Sequence, residues 1–311
     1  VGVSLLSARK LWRALGFAGV DDADVAFTSA DAEALGRVVR LVRTGLVEEE
    51  TAIAWARALG QTTDRLVSWQ LEALLEELHD AAPAGSGEGA TAGEVDAALA
   101  RIATVADDLD QLIVYAWRRK LAAAVARLTD LADSSGLSTQ QELTVGFADL
   151  VSYTRLSRRL EHRELVALVQ RFEGLAADVV TAGGGRVVKN VGDEVVFTVA
   201  DPAACAVIAL SLSERMAVDD LVPDVRVGLA HGPVLSSLGD VYGPTVNLAS
   251  RLTSIAQPGT VVTDQSTAVL LGGCADLLLV PQRRRQVRGF GQLQPLLVMR
   301  AGPGTRLITI D

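Results

Sequence analysis

The sequence predicts an α+β chain, with an all-helical part in front and a split βαβ sheet behind it. Two observations carry this. Through the first 133 of the 311 residues, apolar side chains recur three and four apart, as in LVSWQLEALLEEL (Leu66–Leu78), the period of a helix face. After SSGLSTQQ (Ser134–Gln141) the pattern breaks into short apolar runs that alternate with helical ones, in the order strand, helix, hairpin, helix, strand. That order is the βαββαβ, ferredoxin-like arrangement. Unrelated enzymes share it, polymerase palms among them, so it fixes no function by itself.

In chain order, residues 1–80 read as several helices, Ala30–Leu46 and Asp64–His79 being the most regular. Residues 81–93 (AAPAGSGEGATAG) are small and glycine-rich and read as a loop. From Glu94 to Asp133 a helical pattern runs on past the usual length of a globular helix, which predicts one long helix or two in tandem. All four tryptophans, Trp12, Trp55, Trp69 and Trp117, fall in this front half and are expected to anchor its core. The expected boundaries are 1–133 for the helical domain, 134–141 for a linker and 142–311 for the second domain.

In the second domain Leu143–Ala148 reads as a strand and Ser152–Ala182 as helix. Arg186–Asn190 and Glu194–Val199 form a hairpin about a tight VGD turn. Pro202–Val218 is helical, Val225–His231 a strand, Pro244–Ala256 a helix and Thr260–Thr263 a strand, with two further strands near 276–287 and 294–299.

Composition narrows the function. Hydrophobic content of 49% with 22% charged residues is that of a globular protein, and no apolar run is long enough to span a membrane. The N-terminus lacks the basic-then-apolar pattern of a signal peptide. Cys205 and Cys274 lie in apolar surroundings and read as reduced thiols, so a cytoplasmic protein is expected. Residues 1–140 hold 13 Lys and Arg against 21 Asp and Glu, a net of −8, and residues 141–311 hold 16 against 17, a net of −1. An acidic front half argues against nucleic acid as a partner.

Three runs in the second domain carry chemistry. FADLVSYT (Phe147–Thr154) and VVKNVGDEVVF (Val187–Phe197) each bring a carboxylate, Asp149 and Asp193, to the end of an apolar strand, where both are expected to face solvent. Alone, Asp149 reads as a helix N-cap and Asp193 as turn chemistry beside Gly192. GDVYGPTVNLASR (Gly239–Arg251) adds Asp240, then Asn247 and Arg251, four apart on one face of a helix that starts at Pro244. Two acids able to share metal ions, with donors for a phosphate, are the parts of a phosphoryl-transfer site. GGGR (Gly183–Arg186) lacks the ending of a phosphate loop and reads as a helix-terminating turn. His231, at a strand end, reads as structural. His79 and His162 share no metal-ligand spacing with it, and no Ser/His/Asp triad is in view.

These runs, in this order and with VRGFG (Val287–Gly291) behind them, resemble the catalytic domain of the class III adenylyl cyclases over roughly residues 140–300. The resemblance implies conversion of ATP to 3′,5′-cyclic AMP and pyrophosphate. It implies that Asp149 and Asp193 hold two Mg²⁺ or Mn²⁺ ions per site, and that Lys189 and Asp240 read adenine. It assigns Asn247 to the ribose, Arg251 to charge on the α-phosphate and Arg288 to the terminal phosphates. A near-neutral back half suits such an anionic nucleotide. The family's sites lie between subunits, so a homodimer is expected. The residues support this independently: Lys189 and Asp193 lie within roughly 10–13 Å of chain, and they would serve opposite ends of the nucleotide. Only five residues separate HGPV (His231–Val234) from Asp240, a shorter arm than many members have, which bears on dimer contacts alone.

Two other functions compete. A guanylyl cyclase would typically carry Glu and Cys where this chain has Lys189 and Asp240. A catalytically silent nucleotide-binding regulator would have lost a metal aspartate or the transition-state arginine, and here all three stand. The front half resembles, in architecture only, the N-terminal helical domains of actinobacterial cyclases that inhibit the catalytic dimer, in some cases in response to pH. A dimerisation scaffold and a small-molecule or lipid sensor are the alternatives for it.

Overall fold

The structure, a computed structural model, describes residues 5–17, 28–80, 92–135, 140–237 and 239–302. The chain divides into two compact units, residues 1–130 and 131–311.

The front unit is helical: α1 (Leu5–Ala14), α2 (Ser29–Arg43), α3 (Glu49–Asp80) and α4 (Ala92–Ser135). Thr28 starts α2 with a capping box, its hydroxyl accepting from the Asp31 N–H while Asp31 accepts from the Thr28 N–H. The core here is small, with Leu11, Ala14 and Ala56 buried and Leu15, Leu35, Val38 and Ile53 packed against them. Gly60 is what lets α3 meet the end of α1, since a Cβ there would lie 2.3 Å from the Leu15 carbonyl oxygen. The forty-residue helical pattern is one helix, α4, of 44 residues. Residues 81–91 of the expected loop 81–93 and residues 136–139 of the expected linker lie outside the described residues, and Ala92 and Gly93 belong to α4 instead. The expectation for the tryptophans is corrected. Trp12 is half-buried, with Phe17 5.3 Å away, but Trp55, Trp69 and Trp117 are 57%, 57% and 61% exposed. A helical period shows that a face is apolar, but it does not show that the same chain covers it.

The second unit runs β1 (Gln140–Leu150), α5 (Tyr153–Leu156), α6 (His162–Ala182), β2 (Arg186–Val191), β3 (Glu194–Val199), α7 (Pro202–Ala217), β4 (Val225–Ser237), β5 (Asp240–Tyr242) and α8 (Pro244–Ile255). It continues with β6 (Val261–Thr263), α9 (Gln265–Leu271), β7 (Leu277–Pro281), β8 (Arg285–Val287), β9 (Gly291–Leu293) and β10 (Leu296–Arg300). The main sheet has the order β2-β3-β1-β4-β6-β10-β7, with β5 paired to β4. Its first four strands are antiparallel and form the expected βαββαβ unit. β6 then joins β4 in parallel.

Apolar side chains alternate through the sheet and build a core on each face. On one face Phe197 and Leu229 pack with Phe172 of α6 and with Leu212 and Met216 of α7. On the other, Val145, Val196 and Ala230 pack with Ala249 and Leu252 of α8. Three local expectations differ. The helix expected over Ser152–Ala182 is broken, because α5 ends at Leu156, residues 157–161 turn the chain, and α6 restarts at a Glu161–Glu164 capping box. β4 extends to Ser237 because β5 pairs with its end. The strand expected near 276–287 is two, β7 and β8, and the one near 294–299 is β10, with β9 returning on β8.

Candidate active site

Asp149 is the penultimate residue of β1, a central strand, with Glu194 of β3 on one side and Arg226 of β4 on the other. It is 6% exposed, so the expectation of a solvent-facing carboxylate is corrected for this residue. Arg226 compensates the buried charge, donating from Nε to Asp149 Oδ2 at 2.5 Å. Burial pushes the Asp149 carboxyl above the usual aspartate range. The hydrogen bond and charge of Arg226 oppose that shift, and the carboxylate of Asp193 adds to it.

Asp193 reaches this spot from the β2–β3 hairpin. Val191 pairs with Glu194, leaving Gly192 and Asp193 as a two-residue turn, and Gly192 takes the left-handed φ of 63° that a tight hairpin needs. The Leu150 N–H donates to the Asp193 carbonyl at 3.0 Å and locks the turn onto the end of β1. Both predicted acids therefore stand at one end of the sheet, close enough for the charge of Asp193 to be felt at Asp149. Glu194 joins them. Burial, then the charges of Asp149 and Asp193, push its carboxyl up, with Arg226 opposing. Among the described residues no three-ligand cluster of His, Cys, Asp or Glu is closed around a point. Two hard carboxylates on an open corner are the set that Mg²⁺ uses when substrate phosphates and water complete its shell, so these residues fit the implied ions.

Lys189 and Asp240 are 51 residues apart and form an ion pair, Nζ donating to Oδ2 at 2.6 Å. The Val241 N–H holds the other oxygen, Oδ1, at 2.7 Å. Burial pushes the Asp240 carboxyl up, but the Lys189 bond and charge and the Val241 N–H outweigh it, and the group sits below the ordinary aspartate range.

Asn247 and Arg251 lie on the exposed side of α8. The opposite side is bonded to the sheet. Thr245 donates to the Pro233 carbonyl at 2.8 Å, and Thr253 donates to the carbonyls of Ala249 at 2.9 Å and Phe147 at 3.3 Å. Gly228 of β4 allows α8 this close, for a Cβ there would lie 2.3 Å from the Thr253 nitrogen. Arg288 stands exposed on the turn between β8 and β9, a ribbon separate from the main sheet. His231 is structural, as expected. Its Nδ1 shares a 2.9 Å hydrogen bond with the Thr144 hydroxyl, and its N–H donates to Thr267.

The sequence reading missed Arg226 and Glu194. The second is visible beside Asp193 in the VGDE run. For the first, the signal is only an arginine at the start of a strand, and its meaning comes from register across the sheet.

The sheet thus gathers two acids at one strand end, with a lysine–aspartate pair along the adjoining hairpin and a guanidinium on a clamped helix, groups whose chemistry suits an anionic, metal-bound ligand. The sequence profile of the adenylate and guanylate cyclase catalytic domain matches residues 137–299, over half of the chain, and the chain belongs to that family. A Glutamicibacter nicotianae protein named adenylate cyclase is 47% identical, the match covering 99% of this chain and 78% of that protein. An adenylate cyclase of Streptomyces coelicolor is 41% identical, with 97% and 84% covered. A pH-sensitive adenylate cyclase of Mycobacterium tuberculosis is 30% identical, with 93% and 73% covered.

Proposed function

We infer that the chain is an adenylate cyclase, a phosphorus–oxygen lyase that converts ATP to 3′,5′-cyclic AMP and pyrophosphate. The observation that carries this is the pairing of two separate devices on one hairpin: Asp193 beside Asp149 at its tip, and Lys189 beside Asp240 along its strand. The relatives of the same name, matched over nearly the whole chain, support it. In the reaction the ribose 3′-oxygen bonds to the α-phosphorus, the hydroxyl proton leaves, and the bond to the bridging oxygen of pyrophosphate breaks.

The residues divide the work. Asp149 and Asp193 hold two divalent ions, Mg²⁺ or Mn²⁺, which when bound lower the pKa of the 3′-hydroxyl and neutralise the triphosphate. Arg226 donates to Asp149 and would hold that carboxylate in place for the ions. Lys189 donates to a ring nitrogen of adenine and Asp240 accepts from its amine, an edge that guanine does not present. Asn247 orients the ribose. Arg251 offers its fork of donors to charge that grows on the α-phosphate. Arg288 binds the terminal phosphates.

The site is shared in a head-to-tail homodimer, each subunit giving its metal aspartates to one nucleotide and its base pair, Asn247 and Arg251 to the other. One hairpin reaching both ends of a single ATP is strained, and reaching two nucleotides is not. Residues 1–133 form a controlling domain joined through 134–141 to the catalytic domain, and pH is the signal favoured by the pH-sensitive relative, whose match covers 93% of this chain. The enzyme works in the cytoplasm, where ATP is made. Among the described residues no helix is long and apolar enough to cross a membrane.

Mixing Asp193→Ala subunits with Arg251→Ala subunits tests the arrangement. Each variant alone should be inactive. After subunit exchange at equal amounts, half of the dimers hold one intact site, which returns about a quarter of wild-type cyclic AMP production. Mixtures that exchange subunits and stay inactive would rule out shared sites.

A further inference from the structure

We propose that Arg186 is a positioning residue for base choice, the second of two points at which β2 holds the base-reading acid, and that a β-bulge lets one strand supply both. This rests on the reading of Lys189 and Asp240 as the pair that contacts adenine.

In a regular strand successive side chains point to opposite faces, so residues three apart, such as Arg186 and Lys189, face opposite ways. β2 is not regular. Its register on β3 slips between Val187 and Lys189, so that Arg186 stands opposite Thr198 and Lys189 opposite Val196. Thr198 and Val196 are two apart and share a face, and so do their partners. The extra residue, Val188, brings both cations to one side. From there Lys189 takes the Asp240 carboxylate at 2.6 Å, and Arg186 Nη1 donates to the carbonyl of Gly239 at 3.3 Å.

The acid needs both holds. Among the described residues β1 pairs with β4 as far as Leu235, and beyond it Ser236 pairs with Val241 and Ser237 with Asp240 of β5. Asp240 thus opens β5 at the last described pair of that hairpin, next to Gly239 with φ of 84°. A carboxylate on such a tip, tethered through its side chain alone, swings with its backbone. A donor and an acceptor distinguish adenine from guanine only while their separation is fixed, because guanine puts a carbonyl where adenine has its amine. By anchoring the peptide just before Asp240, Arg186 holds that backbone still.

The test measures cyclic nucleotide formation from ATP and from GTP by the full chain carrying Arg186→Gln, Arg186→Lys or Asp240→Asn. Arg186 is exposed, so its two changes are tolerated by the fold. Arg186→Gln is expected to raise KM for ATP about fivefold, leave kcat within about twofold, and lower the ATP-over-GTP ratio of kcat/KM about tenfold. Arg186→Lys, which keeps a donor of similar reach, should recover most of the ratio. Asp240→Asn is the reference and should lower the ratio itself. If Arg186→Gln keeps the wild-type ratio while Asp240→Asn lowers it, the positioning role is wrong and the base-reading pair stands. If Asp240→Asn also keeps it, the base-reading pair is wrong and the proposal falls with it. A loss of kcat at an unchanged ratio would put Arg186 on the phosphates and overturn the proposal as well.

Discussion

Asp149 and Arg226 are unequal partners: the acid's side chain is 8% exposed and the arginine's 37%. Removing the arginine leaves a buried charge facing two further carboxylates. Removing the acid leaves a guanidinium that water can reach. Arg226→Met should therefore lower stability by about 1–3 kcal/mol, below the cost of breaking a fully buried pair because the arginine is partly wet. Asp149→Asn should cost less than that or nothing. Mn²⁺ should restore stability to Arg226→Met, since the ion meets the same need, and should do nothing for Asp149→Asn. Denaturant unfolding with and without Mn²⁺ reads both, and equal losses in the two variants would contradict the imbalance. At this scale the sequence was informative about identity and uninformative about burial. Asp149, Lys189, Asp193 and Asp240 stand out by their order and by the turns they occupy. Arg226 is 77 residues from Asp149, and only the pairing of β1 with β4 makes it a counter-ion.

Elements long enough to show a period were legible, and short ones only in part: β6 and β10 were, β5, β9 and α9 were not. α6, α7 and α8 display helical spacing and β1 to β4 display strand runs, so each was found within a few residues of its ends, except at the start of α6 and the end of β4. β5 has three residues and α9 has seven, too few for either period to repeat, and both owe their form to neighbours. The break between α5 and α6 was hidden for a different reason, because Leu156 and Leu160 keep a helical spacing across it. Gly228 gives the prediction at this scale. An added Cβ would press on the Thr253 nitrogen at 2.3 Å and the Ala249 carbonyl oxygen at 2.5 Å, both helix backbone, so α8 itself must move. Gly228→Ala should cost about 1–3 kcal/mol of stability by overpacking. It should also lower kcat about 10- to 100-fold, since Asn247 and Arg251 ride on that helix. A stable, fully active Gly228→Ala enzyme would show that the close approach is incidental.

At the scale of the whole chain, the front unit exposes more apolar surface than its core uses. The run LIVYAW (Leu112–Trp117) is continuous around α4, and its leucine, tyrosine and tryptophan are 58%, 64% and 61% exposed. Periodicity could not warn of this, because a helix apolar on every side looks the same whether its own chain or another body covers it. α4 ends at Ser135 and β1, which carries Asp149, begins at Gln140, five residues further along the chain. Comparing the full chain with one that begins at Ser134, across pH 5.5–8, tests control by the front domain. The shorter chain should be more active at the pH where the full chain is repressed, and its pH profile should be flatter. Superimposable profiles with equal activity would make residues 1–133 a scaffold.

Because Thr253 bonds α8 to the backbone of β1, a subunit carries its two contributions on one stiff frame. On the proposed sharing of sites between two subunits, a shift of α8 that carried Arg251 toward one nucleotide would carry Asp149 of the same chain with it, so the two sites would tighten and relax together.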